Sequence, residues 1–106
     1  MSWNVVFLPE ASEDLKRLDG SVRPQILKGI MKVSANPLDS GYGKPLGNHS
    51  GTDLSGLMKI KFKKAGIRVV YKVEVIDNIM KVIIISARSD NQVYEEAEKR
   101  RKKHDL

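Results

Sequence analysis

The chain has 106 residues, 19 of them basic and 13 acidic, for a net charge of +6, and it contains no cysteine. That length supports one domain, residues 1–106, with a modest core, and the charge suits a polyanionic partner without bearing on fold. A disulfide framework and any cysteine-based zinc or redox site are excluded. No apolar stretch approaches the roughly 20 residues of a membrane span, and the N-terminus lacks the basic-then-apolar pattern of a secretory signal. The expected setting is therefore the cytoplasm, with nucleic acid rather than membrane as partner. His49 and His104 stand far apart with no ligand spacing around them, so neither a metal nor another cofactor is expected.

Asn4-Val5-Val6-Phe7-Leu8 predicts a first strand. Pro9 then opens a helix at a position where proline is tolerated, with Glu10, Glu13 and Asp14 near the positive end of its dipole. Ala11, Leu15 and Leu18 mark its buried face, and Asp19-Gly20 ends it. Ser21 is the expected cap of a second helix, in which Val22, Ile26, Ile30 and Val33 recur at helical spacing. Asn36 precedes a proline and should stop it. Two helices in direct succession predict a hairpin lying on one face of a sheet. Residues 37–51 carry Gly41, Gly43, Gly47 and Gly51 with Pro37 and Pro45. This longest irregular stretch reads either as a solvated connector or, as long loops often are, as a functional one.

Leu57-Met58-Lys59-Ile60-Lys61-Phe62 alternates apolar and basic residues with a period of two, the pattern of a half-buried strand. Met58, Ile60 and Phe62 face a core, while Lys59, Lys61 and Lys63 stand about 7 Å apart on the other face. If residues 57–63 and 67–76 form a hairpin with an even turn around Ala65-Gly66, opposed residues have an odd sum. Ile67, Val69, Tyr71 and Val73 then join the apolar face, and Arg68 and Lys72 join the lysines. A slip of one residue would put charge in the core, so the pattern selects this register. Ile79 to Ile85 is a further strand, and its unbroken Val82-Ile83-Ile84-Ile85 predicts cover on both faces. A simple turn at Asp77-Asn78 would send Arg88 toward the apolar face. Arg88 joins the basic cluster only from beyond the strand's end or beyond a bulge.

Ser89 with Gln92 resembles a capping box for a last helix. That helix carries Glu95/Lys99, Glu96/Arg100 and Glu98/Lys102 at i,i+4 spacing. Beyond Val93, Tyr94 and Ala97 it has almost nothing to bury, so weak anchoring is expected.

Singly these residues have plain explanations. Lysines on an open strand face are solvated surface, Arg68 is a cross-strand partner for Glu74 or Asp77, and Tyr94 packs a helix. Jointly they are more specific, because clustered like charge costs stability unless an anion is to sit there. RNA cleavage by transesterification needs a base for the 2′-hydroxyl, cations for charge developing on phosphorus, and an acid for the leaving 5′-oxygen. A lysine at its reference pKa of about 10.4 is a poor base at neutral pH, but neighbouring cations push such a value down. Arginine serves best as a phosphate clamp, and tyrosine can stack on an unpaired base.

Met58-Lys59-Ile60-Lys61, Gly66-Ile67-Arg68-Val69-Val70-Tyr71, and Ser86-Ala87-Arg88 followed by Gln92-Val93-Tyr94-Glu95-Glu96-Ala97 together resemble the RelE-type toxins of bacterial toxin–antitoxin modules, within the RelE/ParE superfamily. The resemblance covers nearly the whole chain and is strongest from Leu54 to Arg100. It implies an α+β fold, a small, largely antiparallel four-stranded sheet with an N-terminal helical hairpin on one face and a C-terminal helix. It implies an endoribonuclease that enters the ribosomal A site, engages ribosomal RNA and cuts the mRNA there without a metal. By position, Lys61 would be the general base, Lys59 would stabilise the attacked phosphate and Arg68 would clamp it. Arg88 would assist the leaving group, and Tyr94 would stack on a nucleotide. A RelB-like antitoxin would wrap the toxin, in this subfamily often displacing the C-terminal helix. The loop from Pro37 to Thr52 is longer and richer in glycine than in compact members, which leaves its role open. Glu10 and Glu13 suggest a carboxylate base as in relatives that use glutamate and histidine, but no histidine lies in the matched C-terminal motif. The alternatives are a ParE-like DNA gyrase inhibitor without nuclease activity and a non-catalytic basic RNA-binding module.

Overall fold

Alternation of side chains over residues 57–74 builds the middle of the molecule. The computed structural model describes residues 3–38, 41–46, 54, 56–87 and 89–106. Its elements are β1 (Asn4–Phe7), α1 (Pro9–Arg17), α2 (Arg23–Val33), β2 (Lys44–Pro45), β3 (Leu57–Phe62), β4 (Ile67–Glu74), β5 (Ile79–Ser86) and α3 (Asp90–Lys103). The strands form one sheet in the order β1-β5-β4-β3-β2. β1 runs parallel to β5 and the other pairs are antiparallel. The α+β, largely antiparallel architecture is as expected, and the two-residue β2, taken from the glycine-rich loop, adds a fifth strand at the edge.

β3 and β4 pair with Met58 opposite Tyr71, Ile60 opposite Val69 and Phe62 opposite Ile67, the register the hydrophobic pattern selects. These side chains, with Met80 and Val82 of β5, form the sheet face under α2, whose Ile26, Ile30 and Val33 are buried. Gly29 lets α2 come close, since a Cβ there would collide with the Phe62 ring. The Tyr71 hydroxyl donates to Pro37 O at 2.8 Å, tying the start of the loop to β4, and burial pushes its pKa up. The helix caps differ from expectation. α2 starts at Arg23 with Val22 at its N-cap, and Asp19 instead accepts from the Ser21 N–H at 3.0 Å.

α3 crosses the opposite face, where Val70 and Ile84 are 0% and 2% exposed. Val82 to Ile85 is thus covered on both sides, as its unbroken apolar run required. The expected weak anchoring of α3 is not what the structure shows, because polar contacts replace the missing apolar ones. β1 pairs with β5 only as far as Val82, so no strand runs along the outer edge of the rest of β5. Asp14 and Arg100 fill in for the absent strand: Asp14 Oδ2 accepts from Ile85 N–H at 3.1 Å, and Arg100 Nη1 donates to Ile83 O at 2.9 Å. Arg100 also donates to Asp14 at 2.6 Å and to Glu96 at 3.0 Å; the first pair is mostly buried and Glu96 is about one-third exposed. Burial opposes its charge, but Asp14 and then Glu96 more than offset this and raise its pKa.

At its far end α3 is held by Glu10, which meets His104 Nε2 at 3.0 Å and Lys103 Nζ at 3.0 Å. Glu10's own backbone N–H, then His104 and Lys103, hold its carboxyl at about 2 against an ordinary 4.5. The sign follows: an unfolded chain takes up this proton first, so the stabilisation is complete above about pH 4.5 and is lost as pH falls through about 2. Urea unfolding of Glu10→Gln beside the unchanged protein should show a gap in midpoint at pH 6 that narrows at pH 3. A gap of the same size at both pH values would contradict this assignment. No described helix is long and apolar enough to cross a membrane.

Candidate nucleic-acid interface

The pairing that buries the apolar face sets the basic one. Lys61 lies directly opposite Arg68, Lys59 opposite Val70, and Lys44 opposite Lys59. Directly opposed residues share a sheet face with Cβ atoms about 5 Å apart. Lys44, Lys59, Lys61 and Arg68 therefore project from one side of the sheet, beyond the part that α3 covers. Phe62 ends β3, and Lys63 belongs to the turn.

β4 and β5 settle the parity of the third strand. Glu74 pairs with Ile79 and Tyr71 with Val82, but Val70 pairs with Ile84, so Ile83 is a bulge. The extra residue turns the rest of β5 over and puts Ser86 opposite Arg68. A bulge, one of the two routes by which Arg88 was expected to reach the basic cluster, is thus present, and it sets Ser86 on the face of Arg68. Arg88 itself, and His49, lie outside the described residues.

Tyr94 takes the plainer of its two readings and packs the helix. It is 2% exposed and part of the core, where a nucleotide base cannot stack on it while α3 stays docked. The reason lies in the composition of α3: Val93, Tyr94 and Ala97 are its buried apolar residues, so its one large apolar side chain is needed for docking.

Two shallow hollows border the cations. One of about 370 Å³ is lined by Tyr42, Lys44, Lys59, Ile60, Lys61 and Lys63, and one of about 260 Å³ by Lys61, Phe62, Lys63, Gly66, Ile67 and Arg68. A larger one, about 520 Å³, lies between α1, the end of β5 and α3. Its Asp14 and Glu96 already bind Arg100, so it is poorer in net positive charge and less suited to an anion. Among the described residues no carboxylate lies within 4 Å of Lys44 or Lys59. Farther down the same face Lys81 has Glu74 at 3.4 Å and Lys72 has Leu106 O at 2.6 Å. Like charges set directly opposite each other are destabilising, and the Lys44/Lys59 pair carries that cost unless an anion relieves it.

Lys44 and Tyr42 were not singled out from the sequence. Gly43 between them is buried, and its N–H donates to Leu38 O at 3.0 Å; a Cβ there would strike the Pro37 carbonyl. The close approach of backbone at Gly43 sets where β2 begins. A two-residue strand carries no periodicity, and the only hint was a lysine two residues after a tyrosine in a glycine-rich loop.

No family model matches the chain, and no curated protein does. Solved structures do. A double mutant of E. coli toxin RelE in the free state is 27% identical with a TM-score of 0.72, over 94% of this chain and 98% of that one. The isolated E. coli RelE toxin is 26% identical, TM-score 0.67, over 93% and 98%. The toxin–antitoxin complex RelBE2 from Mycobacterium tuberculosis is 21% identical, TM-score 0.68, over 85% and 95%, a likeness of fold alone. The fold is RelE-like and is shared with toxins of type II toxin–antitoxin modules. The likeness to E. coli RelE over nearly the full length of both chains supports a RelE-type toxin, the class the sequence motifs suggested.

Proposed function

We propose that this protein is a ribosome-dependent endoribonuclease that cuts mRNA in the A site, acting in the cytoplasm as the toxin of a type II module. The observation that carries the reading is the Lys61/Arg68 pair with Lys59 beside it on one open, cation-lined sheet face. In this reading Lys61 takes the proton of the 2′-hydroxyl as its oxygen attacks phosphorus. The bond from phosphorus to the 5′-oxygen breaks, leaving a 2′,3′-cyclic phosphate and a 5′-hydroxyl. Arg68 grips the non-bridging oxygens in its planar fork, and Lys59 adds charge where the dianionic phosphorane develops. Arg88 is assigned to the leaving oxygen, supported by the bulge that aligns Ser86 with Arg68. A RelB-like antitoxin is the proposed regulator, by analogy with the E. coli and M. tuberculosis complexes.

Expression without an antitoxin should arrest growth, and primer extension should show cuts inside translated codons. Cuts that persist when translation is blocked would point to a ribonuclease independent of the ribosome. Intact mRNA with accumulating relaxed plasmid would point to gyrase instead.

A further inference from the structure

The loop before β2 brings an aromatic ring and a further cation to the basic face, and the mechanism above uses neither. Tyr42 is 51% exposed although its backbone is fixed: its N–H donates to Asn36 O at 2.9 Å, within the turn closed by Gly43 N–H on Leu38 O. Lys32 Nζ stands 5.5 Å from the ring centroid, which adds a cation–π restraint on the ring. Lys44, two residues on, lies opposite Lys59. The ring and the cations of Lys44, Lys59 and Lys61 line the same hollow.

An exposed tyrosine alone carries no such message. A fixed aromatic ring that borders a row of cations is the combination by which proteins hold single-stranded nucleic acid: bases stack on the ring while the groove tracks the backbone. Cations about 7 Å apart along β3 let neighbouring phosphates be met separately. We propose that Tyr42 and Lys44 form a nucleotide subsite for single-stranded RNA, in which the base next to the attacked phosphodiester stacks on Tyr42 and its phosphate lies between Lys44 and Lys59. The inference rests on reading this face as the RNA-cleaving site. It also supplies the base platform that the buried Tyr94 does not.

The test is binding of a dye-labelled RNA trinucleotide, 2′-O-methylated throughout so that it cannot be cut, to the full-length protein over a salt series. Tyr42→Ala should weaken binding about tenfold, while Tyr42→Phe, which keeps the stacking face, stays within about twofold. Lys44→Ala should reduce the salt slope by about one phosphate contact, roughly 0.7 for a single strand. The subsite is overturned if the unchanged protein does not bind the trinucleotide, if Tyr42→Ala binds it equally well, or if the Lys44→Ala slope is unchanged. Its fate is separable from that of the nuclease reading. Binding through Tyr42 with no cleavage of ribosome-bound mRNA would remove the nuclease and keep the subsite. Cleavage by the unchanged protein, with binding indifferent to Tyr42, would do the reverse.

Discussion

Lys61→Ala should lower the single-turnover rate of mRNA cleavage on the ribosome by about 10²–10⁴-fold, the usual contribution of a positioned proton-transfer group. Lys61 is exposed at the end of β3, so the substitution leaves the core untouched and ribosome binding measurable. Arg68→Ala should cost about 10²–10³-fold through lost charge stabilisation. Arg68→Lys should restore only part, because an ammonium lacks the bidentate fork. The two positions face each other across β3 and β4, so their effects should fall short of additive. Both variants cutting at the unchanged rate would remove this face from the chemistry.

The largest effect on stability is expected at Asp14→Ala. This carboxylate meets the Arg100 guanidinium at 2.6 Å and Ile85 N–H at 3.1 Å. Its loss takes away the shortest ion pair of a mostly buried guanidinium, which keeps Glu96 and Ile83 O, and leaves the Ile85 N–H without its acceptor, which together cost about 3–5 kcal/mol. For a domain of this size that corresponds to a melting point lower by roughly 15 °C or more. Combining Asp14→Leu with Arg100→Met removes both charges and should recover part of the loss, the rest remaining because Ile85 N–H and Ile83 O lose their side-chain partners. Hydrogen exchange should locate the change at α3 and the end of β5. A drop of under about 1 kcal/mol in Asp14→Ala would mean that this contact does not hold α3.

The contrast between these two predictions shows what was legible in the sequence. Lys59, Lys61 and Arg68 could be placed on one face because a period of two, a buried alternate face and an even turn leave one acceptable register. The bulge at Ile83 was legible only as a condition, since the unbroken apolar run Val82–Ile85 has no period in which a slip would show. Asp14 and Arg100 are 86 positions apart, and no local pattern links them. Their pairing follows from where β1 stops along β5, which depends on strand lengths rather than residue types. Tyr94 could be read two ways, because a tyrosine at helical spacing near two apolar residues suits a core and a binding face equally well. The last helix looked loosely held because apolar contacts were counted and buried polar ones could not be.

That the lysines and arginine on the sheet face beyond α3 perform transesterification can be put to one assay. Purified protein is mixed with ribosomes carrying a defined mRNA, and the termini of the fragments are identified. The account predicts scission within the A-site codon with a 2′,3′-cyclic phosphate on one fragment and a 5′-hydroxyl on the other. Fragments ending in a 3′-hydroxyl and a 5′-phosphate, or mRNA recovered whole, would contradict it.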